Sequence, residues 1–172
     1  MHLEIERKFL LKAIPSKEPD EVINIDQYYW KNSKGIWERV RKYESIKEKR
    51  YIHTIKKAVA KGINIEDEKD INSSDFEKFL EKCFKDGSQS KFISKDRIIY
   101  KVSDEIKWEV DVFDSGYKLI IAEVEIPKKN YKLDIPDFIK DVLLMEVTNL
   151  KQFSNRNLSI DIKEIGKYNG RI

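Results

Sequence analysis

The sequence predicts an α+β fold: an eight-stranded antiparallel β-barrel forming a tunnel, with helices packed outside. Three observations lead there. Eight segments alternate charged and apolar residues with the period of two that a strand imposes. Turn-forming residues punctuate them at hairpin spacing. One amphipathic helical stripe interrupts the series between the fifth and sixth segments. A sheet of about eight strands closes around an interior wide enough for side chains or one small ligand. The alternative left by pattern alone is an open sheet whose charged face meets solvent.

The first strand, His2 to Leu11, sets Leu3, Ile5, Phe9 and Leu11 on one face and Glu4, Glu6 and Lys8 on the other. Val22 to Trp30, Ile36 to Tyr43, Arg50 to Ala58, Ile63 to Ile71, Lys91 to Val102, Glu105 to Phe113 and Leu119 to Ile126 follow, each rich in β-branched or aromatic residues. Asn32-Ser33-Lys34-Gly35, Ala60-Lys61-Gly62, Ser103-Asp104 and Asp114-Ser115-Gly116 supply turns. The helix is expected to start at Ser74, capped reciprocally with Glu77. It carries Phe76, Phe79, Leu80, Cys83 and Phe84 on one stripe and ends at Gly87. A second, short helix is expected from Pro136 to about Val142, and the tail from Thr148 onward shows no clear period.

A chain of 172 residues suits one domain, residues 1–172, with a core of its own. Its 34 basic and 31 acidic side chains nearly cancel to +3, which argues against a basic nucleic-acid binder. Cys83 is the only cysteine, so an intrachain disulfide and a thiolate zinc cluster are excluded. With His2 and His53 as the only histidines, a histidine-rich metal site is excluded too. The first apolar run is broken by Glu4, Glu6, Arg7 and Lys8, and no apolar run is long enough to span a bilayer, so a soluble cytoplasmic protein is expected. No glycine-rich phosphate loop is present.

What the charges can do follows from their spacing. Carboxylates at i and i+2 of a strand can share a hard divalent cation, and an ammonium further along the same face can hold an oxyanion. Glu4, Glu6 and Lys8 have this form; Glu66 with Glu68, Glu109 with Asp111, and Glu123 with Glu125 repeat the acidic pair, while Arg39 with Arg41 and Lys95 with Arg97 repeat it in cations. His53 falls on the opposite strand face from Lys56 and is expected to pack or face water. Trp108 is expected in the core, and Trp37, on the face of Arg39, is placed to approach a ligand.

The segment Glu4-Ile5-Glu6-Arg7-Lys8 resembles the N-terminal ExExK signature of the CYTH superfamily, the triphosphate tunnel metalloenzymes. The resemblance continues in order through Arg39-Val40-Arg41, Thr54-Ile55-Lys56, Glu66-Asp67-Glu68, Lys95-Asp96-Arg97, Trp108 to Phe113 and Ala122-Glu123-Val124-Glu125, nearly the whole chain. It implies a tunnel that takes a linear triphosphate and uses Mg2+ or Mn2+ to hydrolyse it. By that resemblance Glu4, Glu6, Glu123 and Glu125 are metal ligands, with Asp111, Glu66 and Glu68 beside them. Lys8, Arg39, Arg41, Lys56, Lys95 and Arg97 match phosphate-binding positions, and Glu4, Glu6 and Lys8 are the candidate catalytic residues. Asn64 and Phe153 depart from the family's frequent arginine and tyrosine. The implied activity is a metal-dependent triphosphatase acting on tripolyphosphate or a related small triphosphate. The alternatives are a class IV-type adenylyl cyclase and a non-catalytic polyphosphate- or nucleotide-binding module. The expected partner is the small triphosphate itself, with neither nucleic acid nor membrane; the oligomeric state is open, a homodimer included.

Overall fold

The computed structural model describes residues 2–60, 63–86, 90–114 and 118–162, with the side chains of 2–4, 56–60, 63–66 and 86 outside the description. Strands β1 (His2–Leu11), β2 (Glu21–Lys31), β3 (Trp37–Glu44), β4 (Lys49–Ala60) and β5 (Ile63–Ile71) precede helix α1 (Ser73–Asp86). Strands β6 (Lys91–Lys101), β7 (Lys107–Asp114) and β8 (Lys118–Glu125) follow it. Then come α2 (Asp137–Lys140), β9 (Leu143–Glu146), a 3-10 turn at Lys151–Phe153, α3 (Asn155–Leu158) and β10 (Ile160–Asp161).

The sheet has ten strands where the sequence pattern predicts eight. The two extra strands, β9 and β10, are four and two residues long, too short to show a period of two. The strand order is β10-β6-β2-β3-β4-β5-β1-β8-β7, every pairing antiparallel; β9 lies on β1 at Phe9–Leu11, and β6 also pairs with β7 from Lys95 to Lys101. Strand β1 is shared: its first residues pair with β5, and Glu6 to Leu11 pair with β8.

Local chemistry accounts for the connections. In the β2–β3 hairpin the Asn32 side-chain oxygen accepts from the backbone N–H of Lys34 and Ile36, both at 3.0 Å, and Gly35 takes the positive φ of 74° that a side chain would strain. The turns containing Lys61-Gly62 and Ser115-Gly116, and the helix stop at Gly87, lie outside the described residues. Helix α1 begins one residue before Ser74, and the cap is Asn72, whose side-chain oxygen accepts from the Asp75 N–H at 2.8 Å. Asn72 wins because it lies just outside the helix, whereas Ser74 already lies within the first turn. Helix α2 is shorter than expected, with Pro136 as the extended residue before it.

Two apolar layers cover the side of the sheet facing away from the charged rows. Over β2, β3 and β4 lies α1: Phe76 meets Tyr28 edge-on at 6.0 Å and Tyr51 at 4.8 Å, and Phe79 stacks on His53 at 4.5 Å. Over β1 and β6 to β8, the chain through α2 covers a core of Phe9, Tyr100, Trp108, Val110, Ala122 and Val124, with Ile139 of α2 fully buried in it. Trp108 sits in this core as expected, its ring 5.4 Å from that of Phe9. A third apolar group lies on the charged side. Tyr29, Ile93, Phe113 and Ile121 pack there with Trp37, Leu119, Phe153 and Leu158, so the 3-10 turn and α3 cover that end of the face and are not outside the sheet. Among the described residues no helix is long and apolar enough to cross a membrane.

The cap gives a direct test. Asn72→Ala is expected to lower stability by about 1 kcal/mol, and Ser74→Ala to leave it unchanged or slightly higher, measured as the urea midpoint at constant slope.

Candidate functional site

Residues paired directly across an antiparallel ladder point to the same face, so the register decides which charges meet. Glu6 stands opposite Glu125 and Lys8 opposite Glu123 on β1 and β8. Glu123 stands in turn opposite Glu109, and Asp111 opposite Arg97. On the other half of the sheet Arg39 is opposite Thr54, which is opposite Glu68, and Arg41 is opposite Gln27. Backbone register puts Glu4 across from Asn64 and Lys56 across from Glu66; the side chains of Glu4, Lys56 and Glu66 lie outside the described residues. The register therefore sets all thirteen sequence-predicted site positions on one face of the sheet. Most of the described side chains fall into two clusters.

In the first cluster, Lys8 Nζ lies 3.1 Å from Glu6 Oε1 and 2.5 Å from Glu123 Oε1. Arg97 grips Asp111 as a fork, Nε to Oδ1 at 2.7 Å and Nη2 to Oδ2 at 2.8 Å, and also reaches Glu123 at 3.0 Å and Glu109. Lys95 pairs with the same Asp111 and donates to Asn155 Oδ1 at 3.3 Å. Lys95 and Asp111 are almost wholly buried, at 1% and 0% exposure, so neither charge has water to fall back on.

The local field divides these groups. Burial works against the Lys8 ammonium, but Glu123 and Glu6 outweigh it and raise its pKa above the ordinary lysine range. Burial likewise opposes the Glu123 carboxylate, yet Lys8, Lys95 and Arg97 hold it well below the usual range. Arg97 is driven well above its ordinary value despite burial by Asp111 and Glu109, and Glu109 is lowered by Arg97 and Lys107 against its own burial. Lys95 goes the other way: burial dominates, Arg97 adds repulsion, and even Asp111 leaves it at about 8.

The second cluster is held by Glu68. Its Oε1 accepts from Thr54 Oγ1 at 3.0 Å, from Arg39 at 3.3 Å and from Arg41. Burial and the neighbouring Arg39 lower the Arg41 pKa. Both clusters join strands that are not adjacent, β6 to β8 and β3 to β5, each arginine reaching across the intervening strand.

Thr54, Gln27 and Asn155 stand in these clusters without having been picked out as site residues. Thr54 shares the alternation of Lys56, and Asn155 stands two residues beyond Phe153. Gln27 carries no sequence signal beyond being polar among apolar neighbours. Glu109 showed the right spacing. His53 packs as expected, its Nε2 2.9 Å from Glu38 Oε2 under α1. Trp37 does not present a bare ring: Arg156 lies over it at 5.2 Å, and it joins the apolar cluster. Among the described residues no three of His, Cys, Asp or Glu converge as a metal-holding group, because the buried carboxylates are turned to cations. Glu6 and Glu125, opposite one another at the open part of the face, are the described acidic pair that fits a hard cation needing only one or two carboxylates alongside phosphate oxygens.

No family model matches the sequence, and no curated protein does. Solved structures do match. The inorganic triphosphatase NE1496 is 25% identical over 94% of this chain and 97% of its own, with a TM-score of 0.58. HpAC1 from Hippeastrum, provisionally an adenylyl cyclase and described as having a dominant triphosphatase activity, is 15% identical over 73% of this chain and 80% of its own, at 0.53. A Bacillus halodurans protein provisionally designated an adenylate cyclase is 14% identical over 82% and 98%, at 0.55. The fold is CYTH-like, similar to that of these proteins.

Two outcomes test the electrostatics. Asp111→Ala leaves the buried Lys95 ammonium without its carboxylate and takes one of three from Arg97, and is expected to destabilise the fold by about 3–5 kcal/mol in chemical denaturation. For Lys95, the unfolded chain keeps a proton between about pH 8 and the ordinary 10.5 that the folded chain has released. Stability from this group therefore rises with pH across that window and is flat below it. Denaturation of wild type against Lys95→Met at about pH 7 and about pH 10 is expected to show the difference moving in favour of wild type.

Proposed function

We propose that this chain is a metal-dependent triphosphatase acting on inorganic tripolyphosphate or a related small organic triphosphate, within a channel that its eight long strands close around the charged face. The observation that carries the reading is the convergence on one face of five cations, Lys8, Arg39, Arg41, Lys95 and Arg97, from β1, β3 and β6. Acidic partners stand among them, and the sheet is similar to that of an inorganic triphosphatase over nearly its whole length. The closed arrangement is supported by β6 pairing with both β2 and β7, which gives each of β1 to β8 two long neighbours.

Arginine forks suit the paired oxygens of phosphate groups, and lysines act as movable point charges, so the mixed set can hold a chain of phosphates along its length. Lys8, kept protonated by two carboxylates, is a phosphate holder and not a nucleophile. Glu6 and Glu125, with Glu4 on the same row, would hold Mg2+ or Mn2+, which when bound offsets phosphate charge and polarises a phosphoryl oxygen. The carboxylates of Glu4 and Glu6 are the groups on hand to orient a water for attack in line with the leaving oxygen. Catalysis is then positioning and electrostatics, with the two clusters supplying preformed partners.

Pure protein incubated with tripolyphosphate, ATP or thiamine triphosphate and Mg2+ or Mn2+ is expected to release phosphate, with tripolyphosphate or a similar small triphosphate preferred. Arg41→Ala is expected to lower kcat/KM by on the order of 10²-fold. Cyclic AMP as the main product from ATP, or tight binding with no turnover under either metal, would overturn the hydrolase.

A further inference from the structure

Among the described residues β1, β3, β5, β6, β7 and β8 each bring a charged side chain to the charged face, and β2 brings none to its clusters. On the charged side β2 presents Ile25 at 0%, Gln27 at 1% and Tyr29 at 7% exposure, so Gln27 is the buried polar group of that row. It stands directly opposite Arg41 of β3 and, across β6, opposite Ile93, two residues from Lys95. Its Nε2 is buried without a hydrogen-bond partner, and so is the Nε of the facing Arg41. Two donors on opposed positions of neighbouring strands thus point into the protein with no acceptor among the described residues. A buried amide left in that state is costly, so a position serving packing alone would be better filled by leucine or methionine.

The surroundings say what the acceptor is. Arg39, Arg41 and Lys95 lie on the strands flanking Gln27, so an incoming acceptor is anionic. The apolar cluster gives the location. Tyr29, Ile93, Phe113, Ile121 and Trp37 each stand two residues, on the same side of their strand, from Gln27, Lys95, Asp111, Glu123 and Arg39 respectively. Gln27 therefore belongs with the polar residues next to the apolar end of the face. A lysine or arginine there would add repulsion to cations already crowded by burial. A neutral amide donates without that penalty.

Resting on the triphosphate reading, we propose that Gln27 is a substrate-binding residue, its amide donating with Arg41 to an oxygen of the phosphate group nearest the apolar end of the site.

The test uses tripolyphosphate as probe on the full chain. Gln27→Met, close in shape and without the donor, is expected to weaken tripolyphosphate binding measured calorimetrically without metal, and to raise KM, each by about tenfold. The turnover number should change little and the melting temperature should hold or rise, since an unmet buried donor is gone. Gln27→Leu is read in the same way should the methionine variant fail to fold. Gln27→Glu, which pairs with Arg41 in place of the anion, is expected to cost more than either. Unchanged affinity and KM in the apolar variants, while Arg41→Ala loses both, would overturn the role of Gln27 and leave the triphosphatase standing. A wild type that neither binds nor hydrolyses tripolyphosphate would overturn both.

Discussion

Lys95 and Arg97 share the carboxylate of Asp111 in a place that water hardly reaches, and the rest of the charged face is arranged around that compromise. One carboxylate cannot balance two cations, so Arg97 reaches on to Glu109 and Glu123, and Glu123 is shared in turn with Lys8. Each link spans two or three strands. The pairing that makes buried charge tolerable therefore also ties β1, β6, β7 and β8 together.

These internal pairs place the cations before any ligand arrives. On the triphosphate proposal, a phosphate chain entering among them would exchange partners and not recruit free arms, because Arg41 and Arg97 are already held by Glu68 and Asp111. The same exchange would free carboxylates that now face cations. Lys8 and Glu123 show the exchange most clearly, since each shifts the other toward its charged form and the two stand directly opposite in register. Affinity for an anion alone and for a metal–anion complex should differ for that reason, the acids opposing the first and welcoming the second.

Much of this was legible in the sequence. All eight long strands fall within two or three residues of their expected bounds, because a period of two sustained over eight or more residues is a strong signal. That the site positions share a face was legible for the same reason: Glu6 with Lys8, Arg39 with Arg41 and Lys95 with Arg97 are i, i+2 pairs. What could not be read was partnership. Nothing in the order of residues says that Asp111 serves Lys95 and Arg97, since that depends on which strands adjoin. β9 and β10 are too short to carry a pattern, and Ser74 and Asn72 are both residues that can cap a helix, so that only the backbone decides between them. Gln27 escaped notice because a single amide in an apolar strand resembles any other until its burial and its neighbours are known.

The charged face also has a direction. On β1, β2, β3, β6, β7 and β8 an apolar residue stands two positions from a polar one: Leu10 from Lys8, Tyr29 from Gln27, Trp37 from Arg39, Ile93 from Lys95, Phe113 from Asp111 and Ile121 from Glu123. Antiparallel strands run alternately up and down, so the offset must alternate in sign for these residues to share one end, and it does. Phe153 and Leu158 finish that end from outside the strand series, and Asn155 between them receives the Lys95 ammonium. The chain's final described elements thus do two things at once. They cover apolar side chains that would otherwise meet a polar guest, and they hold Lys95 where its charge, weakened by burial, is of most use to an anion. Apolar side chains thus stand at one end of the charged face and Glu6 and Glu125 toward the other, an order set by the strands themselves.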